Sequence, residues 1–177
     1  MSEMQQLAAA RAPLPEHVEE LRRRAADLAR PVKPPRADDV HTAIIFELGG
    51  EQYAVVAKAV LQVVALRELT PLPDAPLPLF GLTQWRGDVL TVLDVREMLG
   101  VPRRGLPDLG RVIVVDGRDR VFGVLADAVR DVRDIDFDDV KPLPTDDADG
   151  GTLLSGITDD GVLVIDSDAL RGLGRGG

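Results

Sequence analysis

Asp94 and Asp127 each close an apolar run, the position from which a paired acid and base often reach a substrate, so a small hydrolase working through these two carboxylates is one chemistry the chain offers. The same residues have a structural alternative, helix capping at Asp94 and a turn at Asp127. Other catalytic groups are scarce. His17 lies in an exposed, charged helical stretch and His41 at the end of a linker, and both read as solvated residues away from any pocket. Ser2, Ser155 and Ser167 lie outside any G-x-S-x-G elbow, and no Gly-rich loop ends in the Lys-Ser/Thr that cradles phosphate. The aspartates of Asp146-Asp147-Ala148-Asp149-Gly150 lack the alternation and distal Glu of a calcium loop, so a solvated acidic loop is expected. The chain has no cysteine, which removes thiolate nucleophiles, disulfides and cysteine metal sites together. No catalytic residue, metal or cofactor is therefore expected.

A binding module asks for less: an aromatic or apolar anchor, and a charge to orient the partner. Trp85, the sole tryptophan, stands beside Arg86 in the run Gly81-Leu82-Thr83-Gln84-Trp85-Arg86-Gly87-Asp88-Val89-Leu90-Thr91-Val92-Leu93-Asp94-Val95-Arg96. Leu82–Trp85 and Val89–Leu93 are β-prone, and Gly87-Asp88 supplies turn chemistry flanked by Arg86, which puts Trp85 and Arg86 at a tip. Trp85 then serves either as a recognition anchor or as core packing. After the second strand, Asp94 with Glu97 has capping-box spacing, Met98-Leu99 form a buried turn, and Gly100 stops the helix.

The elements that must position these residues are mostly strands. From His41 onward, short apolar runs punctuated by turns read as strands over Thr42–Leu48, Gln52–Val56, Leu61–Leu66, Leu82–Trp85, Val89–Leu93, Arg111–Val115, Val121–Ala126, Val129–Asp134, Leu153–Ile157 and Val162–Ile165. Gly49-Gly50, Asp116-Gly117 and Asp160-Gly161 are hairpin dipeptides. Aromatics are only 3% of the chain, so an aliphatic core rich in Val, Leu, Ile and Ala must hold this all-β domain. Ahead of it, residues 15–30 form an amphipathic helix. Pro15 fits its first position, Pro31 ends it, and Val18, Leu21, Ala25 and Leu28 make a narrow apolar stripe. A Pro-rich linker covers 31–40. The expected organisation is an N-terminal extension over 1–40, a β domain over 41–172 and a flexible tail over 173–177.

Several of these segments together resemble the CheW family of chemotaxis adaptors. Arg86-Gly87 to Arg96 is similar to its R-G-x-V-x-P-V-x-D-L-R signature, and Phe46 to Val55 to its opening hairpin. Thr70-Pro71-Leu72-Pro73-Asp74-Ala75-Pro76 resembles the T-P-L-P-x-x-P linker, Val121 to Val129 the V-x-G-x-x-V-D-x-V run, and Gly156 to Asp166 the closing hairpin. The resemblance covers roughly 41–172 and implies two intertwined five-stranded SH3-like barrels. It further implies an adaptor without enzymatic activity that couples the cytoplasmic tip of methyl-accepting chemoreceptors to the regulatory domain of a CheA-type histidine kinase, with other CheW-like proteins as further partners. The family's receptor-groove positions fall on Val60, Gln62, Arg86, Val112 and Gly123, to which the spacing adds Trp85. For the kinase side, the proline-punctuated loop carrying Leu69, Leu72 and Leu77 is the candidate, because it presents side chains outward instead of completing a ladder. Gln62 stands where many members carry Glu, Trp85 where a small or aliphatic residue is usual, and Thr91 where Pro is usual. A rival within the same fold is a regulator or ring component that binds CheW-like domains but no receptor.

Composition narrows the partners. The formal net charge is −9, which disfavours nucleic acid as a partner. Arg22-Arg23-Arg24 is nearly balanced by neighbouring carboxylates, and its helix has no Trp or Phe to insert into lipid. The N-terminus lacks a charged stretch followed by an apolar run, and no segment approaches the roughly 20 apolar residues of a membrane span. A cytoplasmic protein associated with membrane-bound receptor arrays is the expectation.

Overall fold

The computed structural model describes residues 39–102, 110–143 and 153–175. The helix expected at 15–30, its linker, His17 and the acidic loop around Asp146 lie outside them. Within them the chain is almost entirely β. β1 (Val40–Leu48) and β2 (Glu51–Val56) form a hairpin across Gly49-Gly50, followed by β3 (Val60–Ala65) and a two-residue β4 (Thr70–Pro71). Next come β5 (Leu79–Trp85), β6 (Asp88–Leu93), β7 (Arg111–Asp116), β8 (Val121–Ala126), β9 (Ala128–Asp136), β10 (Leu154–Ile157) and β11 (Leu163–Ile165), and a short helix α1 (Ser167–Gly172). Each expected strand has its counterpart. β4 and α1 were not anticipated, the first being only two residues, the second having too few residues for a helical period to show.

Two sheets result, with strand orders β10-β11-β2-β1-β9 and β3-β7-β8-β6-β5-β4. The second is built wholly from the chain between β2 and β9, so the first and last strands of the domain make one sheet around an inserted other. Both sheets curl closed. In the second, β3 and β5 stand four steps apart, on the order of 19 Å in a flat sheet. Yet the Trp85 indole N–H on β5 donates to Gln62 Oε1 on β3 at 3.0 Å. In the first, Lys141 just beyond β9 exchanges backbone hydrogen bonds with Ile157 on β10 at 2.8 and 2.9 Å. Arg133 of β9 also pairs with Asp160 in the β10–β11 turn at 2.5 Å. Two intertwined SH3-like barrels are the outcome, five-stranded apart from the minimal β4.

Strand alternation divides the core into three. Ala43, Ile45, Ala54 and Val164 fill the first barrel. Leu90, Val92, Val112, Val114 and Leu125 fill the second. The intervening side chains, among them Phe46, Leu48, Tyr53, Leu93, Ile113, Phe122 and Val124, meet in a shared core between the sheets. Tyr53 stacks on Phe46 with ring centroids 5.8 Å apart, and burial, aided by Glu51, pushes its phenol above the usual range. α1 is capped by Asp166, whose carboxylate accepts from the Asp168 and Ala169 N–H groups, and it plants Leu170 in the shared core. Leu173 packs on that core and Gly174 is buried, so the chain past residue 172 stays on the domain for at least these positions.

Three local expectations change. The hairpin turn between β5 and β6 is centred on Arg86-Gly87, one residue earlier than Gly87-Asp88, with Trp85 paired to Asp88. Both central residues have positive φ, 54° and 89°, the type I′ pattern that matches strand twist. Asp94 does not cap a helix: only a 3-10 turn, Glu97–Leu99, forms before Gly100 ends it, and Met98 is exposed. Asp94 is instead committed to Arg96. The loop after β3 does complete a ladder, Thr70 pairing with Leu82 and Pro71 with Gly81, a placement proline tolerates at a sheet edge.

Candidate functional site

Where the second barrel closes, its seam opens into a groove of about 460 Å³. Period-2 alternation explains the strand residues of the lining apart from Ala65 and Gln84. Gln62 and Val64 on β3 pair directly with Val114 and Val112 on β7, so all four share one face. Thr83 and Trp85 share the corresponding face of β5, paired to Leu90 and Asp88. The wall between β3 and β4 is pinned by the Thr83 hydroxyl donating to the Glu68 carbonyl and by the Leu66 N–H donating to the Gly110 carbonyl at 3.0 Å. Arg67 and Glu68 stand on that wall.

At the mouth sits a cluster of three side chains. Gln62 Oε1 accepts from the Trp85 indole at 3.0 Å and from Arg86 Nη2 at 3.5 Å, while the Arg86 guanidinium carbon stacks 4.6 Å from the centre of the Trp85 ring. Trp85 is half-buried: one side rests on the second barrel's core and the other lies under Arg86. It is both core residue and platform, where the sequence offered these as alternatives. Arg86 holds a φ that L-residues rarely adopt, so the turn spends backbone strain of order 1 kcal/mol to aim the guanidinium along the seam.

The other residues singled out from the sequence fall elsewhere. Val112 forms part of the groove floor with its side chain fully buried. Gly123 lies beneath the floor, where a Cβ would come within 2.4 Å of Val112 Cγ1; a bare backbone is what lets Val112 seat. Val60 turns away, beyond a register shift, and packs on the shared core. In the loop around β4, Leu69 turns inward against the second core, Leu72 is half-buried and Leu77 is 49% exposed. The sequence reading missed Val64, Arg67, Glu68 and Thr83; the i, i+2 partners of Gln62 and Trp85 would have indicated Val64 and Thr83.

The paired-acid hypothesis meets a different geometry. Asp94 Oδ2 lies 3.6 Å from Arg96 Nη1, and Arg96 Nη2 bonds Asp127 Oδ1. Asp127 Oδ2 accepts from the Gly49 N–H at 2.6 Å and Asp94 Oδ1 from the Arg96 N–H at 3.1 Å. Both carboxylates thus serve one buried guanidinium, which ties the end of β6 to the β8–β9 junction and the β1–β2 turn. They hold the fold together, and neither lines the seam groove.

A second cavity of about 500 Å³ lies at the start of β1, between Val56, Phe137, Ile165 and the first turn of α1. His41 lines it and meets Phe137 edge-on at 5.2 Å, so the solvated position expected for this histidine is corrected: β1 begins two residues earlier than expected and carries His41 to the cavity wall. Among the described residues, no cluster of His, Cys, Asp and Glu is arranged to hold a metal. None of their helices is long and apolar enough to cross a membrane.

Comparison with known proteins agrees with this geometry. The model of the CheW-like domain matches residues 42–172. A chemotaxis protein CheW of Rhizobium meliloti is 33% identical over 102 residues, covering 57% of this chain and 65% of that protein. Protein FrzA of Myxococcus xanthus is 35% identical over 99 residues, covering 56% and 62% respectively. The chain thus aligns with just under two thirds of the length of these relatives. The crystal structure of the scaffolding protein TtCheW from Thermoanaerobacter tengcongensis superposes with a TM-score of 0.62 at 28% identity, over 71% of this chain and 88% of that one.

Proposed function

Because the chain belongs to the CheW-like domain family, with residues 42–172 matching its model, we propose that it is a signalling adaptor without enzymatic activity that couples methyl-accepting chemoreceptors to a CheA-type histidine kinase. The observation that carries this reading is the seam groove: an open trough with an apolar floor, an aromatic platform and a projecting guanidinium is suited to clasp a segment of another protein. Gln62, Trp85 and Arg86 are its contact residues; Val112 shapes the floor, and Val60 and Gly123 act through packing. Leu77, the exposed member of the loop that also carries Leu69 and Leu72, is the kinase-facing surface. The protein works in the cytoplasm at receptor arrays, through protein contacts and without nucleic acid or membrane insertion.

The decisive experiment measures autophosphorylation of the cognate CheA-type kinase with receptor membranes, with and without this purified chain, alongside co-sedimentation. Kinase recruited to membranes and altered in activity only when the chain is present is the expected result; recruitment of neither partner refutes the adaptor role. The exposed Leu77 equally serves a second reading, in which the chain binds CheW-like domains but no receptor. Arg86→Asp separates the two: an adaptor loses receptor binding and keeps kinase binding, whereas a ring-only component binds no receptor before or after the change and keeps its CheW-like partners.

A further inference from the structure

The mouth of the groove has a defined polarity. The indole N–H of Trp85 is a donor only, so the atom it meets at 3.0 Å must be the carbonyl oxygen of Gln62, and the Gln62 amide NH₂ points the other way, toward solvent. Among the described residues no acceptor meets that NH₂, and no carboxylate pairs with Arg86. Asp88, opposite Trp85 in the hairpin, is exposed and makes no ion pair with Arg86. Gln62 thus meets Arg86 with a neutral oxygen, and among the described residues no carboxylate compensates its charge. Together they present donors only: the free N–H groups of a guanidinium and an amide NH₂. The ionisable side chains lining the groove are Arg67 and Arg86 against Glu68, a net positive spot on a chain of net charge −9.

Resting on the reading of this groove as a docking surface, we propose that it selects a protein segment offering a Glu or Asp carboxylate at the seam, and that Gln62 sets this preference. A guanidinium beside an amide NH₂ can grip the two oxygens of one carboxylate, and the Trp85 face and Val64 floor take the apolar flank of the same segment. The chain's overall negative charge repels polyanions, which leaves a single carboxylate on a protein as the fitting occupant. Replacing Gln62 by Glu would put an anion under Arg86 and Trp85, occupy the guanidinium internally and convert the donor edge to an acceptor.

The test titrates the full chain with the cytoplasmic hairpin fragment of a chemoreceptor from the same genome, following the fluorescence of Trp85, the sole tryptophan. Gln62→Glu, Gln62→Met and Arg86→Gln are compared with the wild type, and receptor fragments with single tip Glu→Gln or Asp→Asn changes are compared with the unaltered one. Gln62→Glu is expected to weaken binding about tenfold to a hundredfold, the size of one charge-assisted hydrogen bond, and to flatten its salt dependence. One receptor carboxylate should reproduce the loss, and the two changes together should not add. Gln62→Met, which carries no charge, should lose less. If Gln62→Glu binds as tightly as the wild type while Arg86→Gln fails, the carboxylate preference is overturned and the docking surface stands. If neither variant shifts affinity, the docking reading and the preference fall together. Matching thermal melts confirm that each variant is folded.

Discussion

Arg96 is the residue whose removal should cost the fold most. It is 4% exposed, yet its guanidinium is held between Asp94, itself 1% exposed, and Asp127. At 3.6 Å and an effective dielectric of about 20, the Asp94 contact has a gross attraction of roughly 4–5 kcal/mol, much of it offset by desolvating both groups. Breaking such a pair is worse than never having had it, because an uncompensated charge stays behind. Arg96→Met keeps most of the stem and leaves Asp94 buried without that cation, so a loss of about 3–5 kcal/mol is expected. With a urea dependence of about 1–3 kcal/mol per molar, the unfolding midpoint should fall by more than about 1 M. Asp127→Asn should cost less, about 1–2 kcal/mol, because the Asp127 side chain is 27% exposed and an amide oxygen can still accept from Gly49. Adding Asp94→Asn to Arg96→Met should recover part of the loss. Urea melts read by Trp85 fluorescence and by circular dichroism decide the matter. A cost below about 1 kcal/mol for Arg96→Met, or equal costs for Arg96→Met and Asp127→Asn, would refute this account.

Gly123→Ala should destabilise by about 1–3 kcal/mol through overpacking, since its Cβ would collide with Val112 Cγ1 at 2.4 Å. Pairing it with Val112→Ala should restore part of that stability, and thermal melts of the three variants test it. Arg86→Gly places at φ 54° the residue that accepts this conformation most readily, so stability should stay within about 1 kcal/mol of wild type while receptor-fragment affinity drops, a split that a structural role for Arg86 would not produce. The Asp160 carboxyl is held below its usual 3.8 first by the Thr158 hydroxyl and then by Arg133. A depressed folded value stabilises the protein above the unfolded value and is lost as pH falls through the folded one, so acid should weaken the closure of the first barrel. Thr158→Ala should move the Asp160 titration, followed by NMR, back upward.

The fold was legible because the two-residue period is written along nearly every strand. Ile44, Phe46 and Leu48 alternate with Ala43 and Ile45, and Ile113 and Val115 with Val112 and Val114, so both faces of each strand find apolar surroundings. Turn dipeptides then set strand limits to within a residue or two. Asp94 was misread because capping-box spacing points to Glu97, whereas its carboxylate is taken by the N–H and guanidinium of Arg96, a side chain that Asp127 holds in place from 31 residues away. The site was only half legible for a similar reason. Trp85 and Arg86 stand out by type and turn, but their contact with Gln62 exists only because a six-stranded sheet curls until its edges meet, and periodicity carries no measure of curl. Val60 and Gly123 were drawn to the groove by alignment with a pattern, whereas a register shift and a tight backbone approach place them in the packing.

Nesting one sheet inside the other sets an order on how the chain becomes protein. Every strand of the second barrel lies between Val60 and Ala126, so that barrel can close as soon as those residues leave the ribosome. The β1–β2 hairpin emerges first but finds β9 and β11 only after the whole insert has been made, on the order of ten seconds later at about 5–20 residues per second. Until Ala126 is made, Phe46, Leu48 and Tyr53, which end at about 1% exposure or less, have no finished sheet to lie against, and after it they have only the second barrel's face with Ile113, Phe122 and Val124. A nascent chain stalled after Ala126 would therefore carry a complete set of strands for the second barrel, preceded by a hairpin whose own sheet is unfinished.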